Sequence, residues 1–170
     1  MLYFAFTLLS LAALEPSLRI THVRAMAPSV RELLVRGVAR SPSLRVLIDR
    51  LERSDVIVYL YDDRSPGATF DGRLTFMSAA GGYRYVQVRV VLRRDERRNI
   101  STLAHELHHA VEIAERPSIV DQQTFARAYA QIGHALPPPP GARQGFDTIA
   151  AVSTGDRVSR ELWAIARRGR

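Results

Sequence analysis

The sequence predicts a single α+β domain, and three changes of pattern along the chain carry that reading. Apolar residues at helical spacing run from Pro28 to about Arg53. Alternating and β-rich runs replace them from Val56 to Leu92, and helical spacing then returns as far as Arg167. At 170 residues with a hydrophobic fraction of 46%, the chain is long and apolar enough to bury one sizeable core.

Each element has its own local cause. Pro28-Ser29 opens a helix with proline in its first turn, and Val30, Leu33, Leu34 and Val38 line one face. Ser41-Pro42-Ser43 breaks that helix and starts another, in which Leu44, Leu47, Ile48 and Leu51 keep helical spacing. Val56 to Tyr61 is a β-rich run, followed by a loop at Asp62 to Gly67. Gly72 to Ala79 reads as a second strand, Gly81-Gly82 as a turn, and Tyr83 to Leu92 as a third strand with clean alternation. The expected product is a small antiparallel or mixed three-stranded sheet, read as a meander with Tyr83 to Leu92 available as an edge. A helix capped by Asn99 or Ser101 follows and stops before Pro117. Ser118 to Ile132 forms another helix, and Pro137 to Pro140 with Gly141 to Gly145 forms a stiff loop. Phe146 to Arg167 is the last helix, with an interruption expected at Thr154-Gly155.

The first 27 residues stand apart. Leu2 to Leu14 is an apolar run too short to span a bilayer comfortably but suited to a signal-peptide core, and Ala25-Met26-Ala27 offers a cleavage site. Residues 1–27 are therefore expected to be a leader or hydrophobic anchor, and 28–170 the folded domain. A leader implies a secreted or cell-envelope (periplasmic) protein; an anchor allows membrane association; without either the chain stays cytoplasmic.

Composition excludes some chemistry. The absence of cysteine removes disulfides and thiolate metal sites. All 24 basic residues are arginine, giving a net charge of +7, which favours anionic partners. The densest cluster, Arg93, Arg94, Arg97 and Arg98, is interleaved with Asp95 and Glu96 and reads as a solvated connection. No nucleic-acid module or regularly spaced aromatic platform accompanies the arginines, so no specific nucleic-acid partner is expected.

His105-Glu106-Leu107-His108-His109 has the form H-E-x-x-H. On a helix, His105 and His109 project from one face a turn apart, so two imidazoles can share one cation, most often zinc. Glu106 lies on the neighbouring face, where its carboxylate can act as a general base without ligating. Uncharged neighbours at Thr102, Leu103, Ala104, Leu107, Ala110 and Val111 suit a helix buried under a cleft.

Thr102 to Val111 resembles the zinc-binding helix of the zincin metallopeptidases. The resemblance implies Zn2+ on His105 and His109, Glu106 as the catalytic base, and a protein or peptide substrate. It makes the expected fold a zincin-like α+β domain with flanking helices. The third ligand is open. Glutamate zincins supply it from a later helix, and Asp147-Thr148-Ile149-Ala150-Ala151 resembles that motif with Asp in place of Glu and Ala in place of its final Asp. Asp147 is the first candidate, and Glu112, seven residues after His105 on the same face, is the alternative. Glu161 and His134 rank below them, and His108 faces away. Tyr129 is either core packing or a donor to a developing oxyanion. The reading is a zinc-dependent metallopeptidase; its rivals are a non-catalytic zinc-binding domain and a basic envelope or nucleic-acid binder.

Overall fold

A strand that buries residues on both faces needs company on both edges, and Val56, Ile57, Val58 and Leu60 are all buried. The computed structural model, which describes residues 20–65, 70–136 and 145–168, supplies it. Strand β2 (Val56–Asp62) lies between β1 (Val23–Ala25) and β4 (Tyr83–Val90), parallel to both. β3 (Gly72–Ala80) pairs antiparallel with β4 and forms the far edge, so the order is β1-β2-β4-β3. Gly81 and Gly82, with φ of 58° and 80°, make the two-residue turn between β3 and β4.

The sheet is thus four-stranded and mixed, not a three-stranded meander. Tyr83 to Leu92 is also not an edge: β4 is internal, and the edge strands are β1 and β3. β1 explains the difference, because it pairs with the side of β2 that a meander would leave bare. β1 reaches upstream of Pro28, where the sequence placed the start of the folded part. His22 belongs to this folded part: its backbone N–H donates to Oε1 of Glu52, and its Nδ1 lies 3.0 Å from the Leu51 carbonyl oxygen. Residues 1–19, which hold the apolar run, and 137–144, which hold the proline segment, lie outside the described residues.

Helices α1 (Pro28–Arg40), α2 (Pro42–Glu52) and α3 (Glu96–Ala114) bury their apolar stripes in one core with the inward residues of the sheet, among them Val58, Val86 and Val88. α4 (Gln122–Ile132), capped by a reciprocal Asp121–Thr124 box, adds Phe125 over Phe76. β5 (His134–Leu136) and β6 (Gly145–Asp147) form a separate antiparallel pair, and α5 (Ile149–Arg168) packs along α3. α5 runs unbroken through Gly155. That glycine is a packing notch, since a Cβ there would lie 3.3 Å from the Ser101 carbonyl oxygen and 3.5 Å from Cβ of His105. No described helix is long and apolar enough to cross a membrane.

Both ends of α3 are fixed. Asp95, not Asn99 or Ser101, caps the start by accepting from the Arg97 and Arg98 N–H groups. Asn99 is buried instead and closes a two-way bridge to the Arg93 backbone. At the other end the buried Arg84 donates to the carbonyls of Ile113, Ala114 and Arg116 and to both carboxylate oxygens of Asp55. One guanidinium so satisfies the orphan carbonyls of the last turn and complements the helix dipole.

Candidate metal centre

The i, i+4 spacing turns His105 and His109 toward the same point, where β6 delivers Asp147. The two Nε2 atoms lie 3.2 Å apart, and Oδ1 of Asp147 lies 3.2 Å from that of His105 and 3.5 Å from that of His109. Tetrahedral zinc with bonds of about 2.05 Å holds its ligand atoms about 3.3 Å apart. The three donors therefore fit such an ion without rearrangement, and they form a group of candidate metal ligands in which all atoms lie within 4.8 Å. His105 and Asp147 keep 23% and 19% of their side-chain surface exposed, so solvent reaches one side of the cluster.

Asp147 ends β6 rather than starting the last helix, and Thr148 separates it from α5. Glu112 is on the far side of His109 from this point. It accepts from Nδ1 of His109 at 2.8 Å, from the Thr148 hydroxyl at 2.6 Å and from the Tyr129 hydroxyl at 3.1 Å. Glu112 therefore does not converge with the other donors. It joins the α3 histidine to the segment that carries Asp147, fixing the tautomer that leaves Nε2 of His109 facing inward. Tyr129 is buried and also contacts the His109 carbonyl, at 3.0 Å, so its hydroxyl braces the helix instead of facing a substrate.

The other sequence candidates lie elsewhere. Glu161 accepts from the Ser41 and Ser43 hydroxyls, so it fastens α5 to the start of α2. His134 is exposed, although its backbone pairs with that of Asp147. His108 faces α5, with Nδ1 3.0 Å from the Thr154 hydroxyl.

Glu106 is buried against the start of β3. A Cβ on Gly72 would lie 2.6 Å from Oε1 of Glu106 and 2.8 Å from its Cγ, so only glycine lets the strand approach this closely. Burial raises the Glu106 carboxyl above its ordinary range, against the opposing pull of His109 and His105. Burial likewise works against the charged form of Asp147, but hydrogen bonds to His105 and His109 outweigh it and hold the group well below the usual carboxylate range. For His109, burial pushes downward while Asp147 and Glu112 push upward and win, to about 9. Without a metal this ring thus keeps a proton between two carboxylates, and a cation would take that proton's place. Among the described residues, no arginine forms an ion pair with the carboxylates of Glu106, Glu112 or Asp147. In a chain with 24 arginines, a cluster of three carboxylates left to histidines could hold a cation by its charge as well as its shape.

Sequence spacing held a signal for Glu112, which is three residues after His109 and hence its neighbour on the helix. Nothing local pointed to Gly72 or Thr148, whose roles depend on contacts across the fold. No family model, curated protein or solved structure matches this chain.

Proposed function

We propose that the chain is a zincin-like, zinc-dependent metallopeptidase, with zinc held by His105, His109 and Asp147 and with Glu106 as the general base. The observation that carries this reading is the convergence of three donors at tetrahedral spacing beside a fourth, non-converging carboxylate. A structural zinc site closes with four protein ligands, whereas three ligands and a solvent-facing side suit catalysis.

Zinc bound there supplies a Lewis acid for a carbonyl oxygen and makes a water acidic enough to deprotonate near neutral pH. Glu106 takes the proton from the attacking water and returns it to the leaving amine. Gly72 and the Leu74 backbone hold the carboxylate in place. Glu112, Thr148 and Tyr129 keep His109 oriented and do not meet the substrate. The free edge of β3, which begins over Glu106, receives the peptide as an added strand and lays its backbone across the site.

The test is the zinc content of the purified full chain after dialysis, beside His109→Ala and Asp147→Ala. One equivalent in the wild type, lost in both variants, is expected. A folded wild type that retains no zinc would overturn the proposal. Cleavage of a broad peptide library by the zinc-loaded chain then separates a peptidase from a non-catalytic zinc domain.

A further inference from the structure

A cleft lies away from the histidine cluster: a groove of about 620 Å³ between the start of α3 and the second half of α5, lined by Arg97, Ser159, Arg160, Trp163, Ala164 and Arg167. Arg97 lies eight residues before His105, a rise of about 12 Å along the helix, so the two places are separate. The volume falls in the range of small-molecule sites.

Arg160 and Arg167 line the groove without an ion pair, because the acids at the start of α3 and in the second half of α5 are engaged elsewhere. Glu96 takes Arg36 and Arg40, Asp71 takes Arg93 and Arg98, and Glu161 takes the serines of α2. Asp95 caps α3 and approaches Arg97 only to 3.8 Å. No described carboxylate forms an ion pair with Arg160 or Arg167. Arg167 lies over the Trp163 ring, 4.5 Å from its centroid. Stacking of that kind orders a guanidinium without using its in-plane N–H groups, which stay available to a ligand. Trp163 itself is 48% exposed.

We propose that this groove binds a ligand carrying two adjacent phosphate groups, either free pyrophosphate or a nucleoside diphosphate. A lone carboxylate occupies one guanidinium fork, whereas three forks around one concavity call for several acceptor oxygens on neighbouring centres. A diphosphate offers them together with about three negative charges, the terminal group supplying about two. The Ser159 hydroxyl adds one uncharged donor. This inference does not rest on the metal site.

The chain has one tryptophan, so its intrinsic emission reports on the groove directly. The full chain is titrated with inorganic pyrophosphate, ADP and citrate at physiological salt, and the titrations are repeated in His109→Ala to remove competition from metal chelation. A saturable change with pyrophosphate or ADP is expected, weakened about tenfold or more by Arg160→Glu and less than about twofold by Arg31→Glu, an equal charge change on α1. Saturation by both assigns the diphosphate alone as the recognised group; saturation by ADP only assigns the nucleotide ester. The proposal fails if neither saturates, if citrate binds as well as the phosphates, or if the two arginine variants weaken binding equally. Arg160 is exposed, so its replacement leaves the fold intact, as the unliganded emission spectrum verifies.

Discussion

The two ends of the α3–α5 pair carry opposite charge under opposite conditions. Where α3 meets the start of α5, three carboxylates and two histidines sit in a largely buried cluster that arginine does not enter. Where α3 begins and α5 finishes, three arginines line an open groove, and among them only Arg97 has a described ion pair, a long one to Asp95. A net charge of +7 says nothing about this sorting. It comes from pairing: Glu96, Asp71 and Glu161 are occupied by other arginines or serines, while Glu112 and Asp147 are held by histidines and hydroxyls. Net charge therefore predicts partners poorly when ion pairs are this selective.

The strongest way to break the contrast is at the buried end. Glu106→Gln removes a base but no metal ligand, so peptide hydrolysis should fall by about 100- to 10,000-fold while bound zinc stays at wild-type stoichiometry. Parallel loss of zinc would mean that Glu106 ligates and that the roles are misassigned. Arg84→Met comes next. It leaves the last carbonyls of α3 and the Asp55 carboxylate without their donor, and urea unfolding of the zinc-free chain should show a loss of about 3 kcal/mol. Unchanged stability would show that α3 needs no anchor beyond its packing. Glu112→Gln should weaken zinc binding about 10- to 100-fold in competition with a chromogenic chelator. An unaltered affinity would reduce Glu112 to a packing residue.

Two milder perturbations sharpen the comparison. A roughly tenfold rise in salt should weaken pyrophosphate at the open groove several-fold yet leave zinc affinity nearly unchanged, because screening acts on exposed charge. Equal salt sensitivity would erase the distinction between the two ends. The smallest effect concerns acid. Hydrogen bonds from Arg84 hold Asp55 below its ordinary value of 3.8, despite partial burial. A carboxylate depressed in the folded state stabilises above its unfolded pKa and loses that contribution as pH falls through the folded one. Stability of the wild type should thus decline below about pH 4 with a component that Asp55→Asn removes.

Much of this was legible beforehand, and the failures share a cause. The helices, the Gly81-Gly82 turn and the pair His105 and His109 were readable because their determinants are close in sequence. Asp147 was identified by motif likeness, and the structure brings it to the histidines from a short strand and not from the helix expected. Strand order was misjudged because alternation in Tyr83 to Leu92 is equally compatible with an edge and an interior position; only the two-sided burial of β2 decides. Val23–Ala25 was missed because three residues carry no periodicity. The placement of Gly72 against Glu106 could not be read at all, since it depends on a register between β3 and α3 that no local pattern encodes.

β1 has one more consequence. It ends at Ala25, inside the stretch expected as a leader cleavage site, and the Met26 N–H still bonds to the Leu60 carbonyl. A cut after Ala27 would excise the strand and leave the outer edge of β2 open over Val58 to Leu60. That vacancy would accept a parallel three-residue segment from another chain, as in donor-strand exchange. Cleavage at that bond would thus give the sheet a second unpaired apolar strand edge beside that of β3.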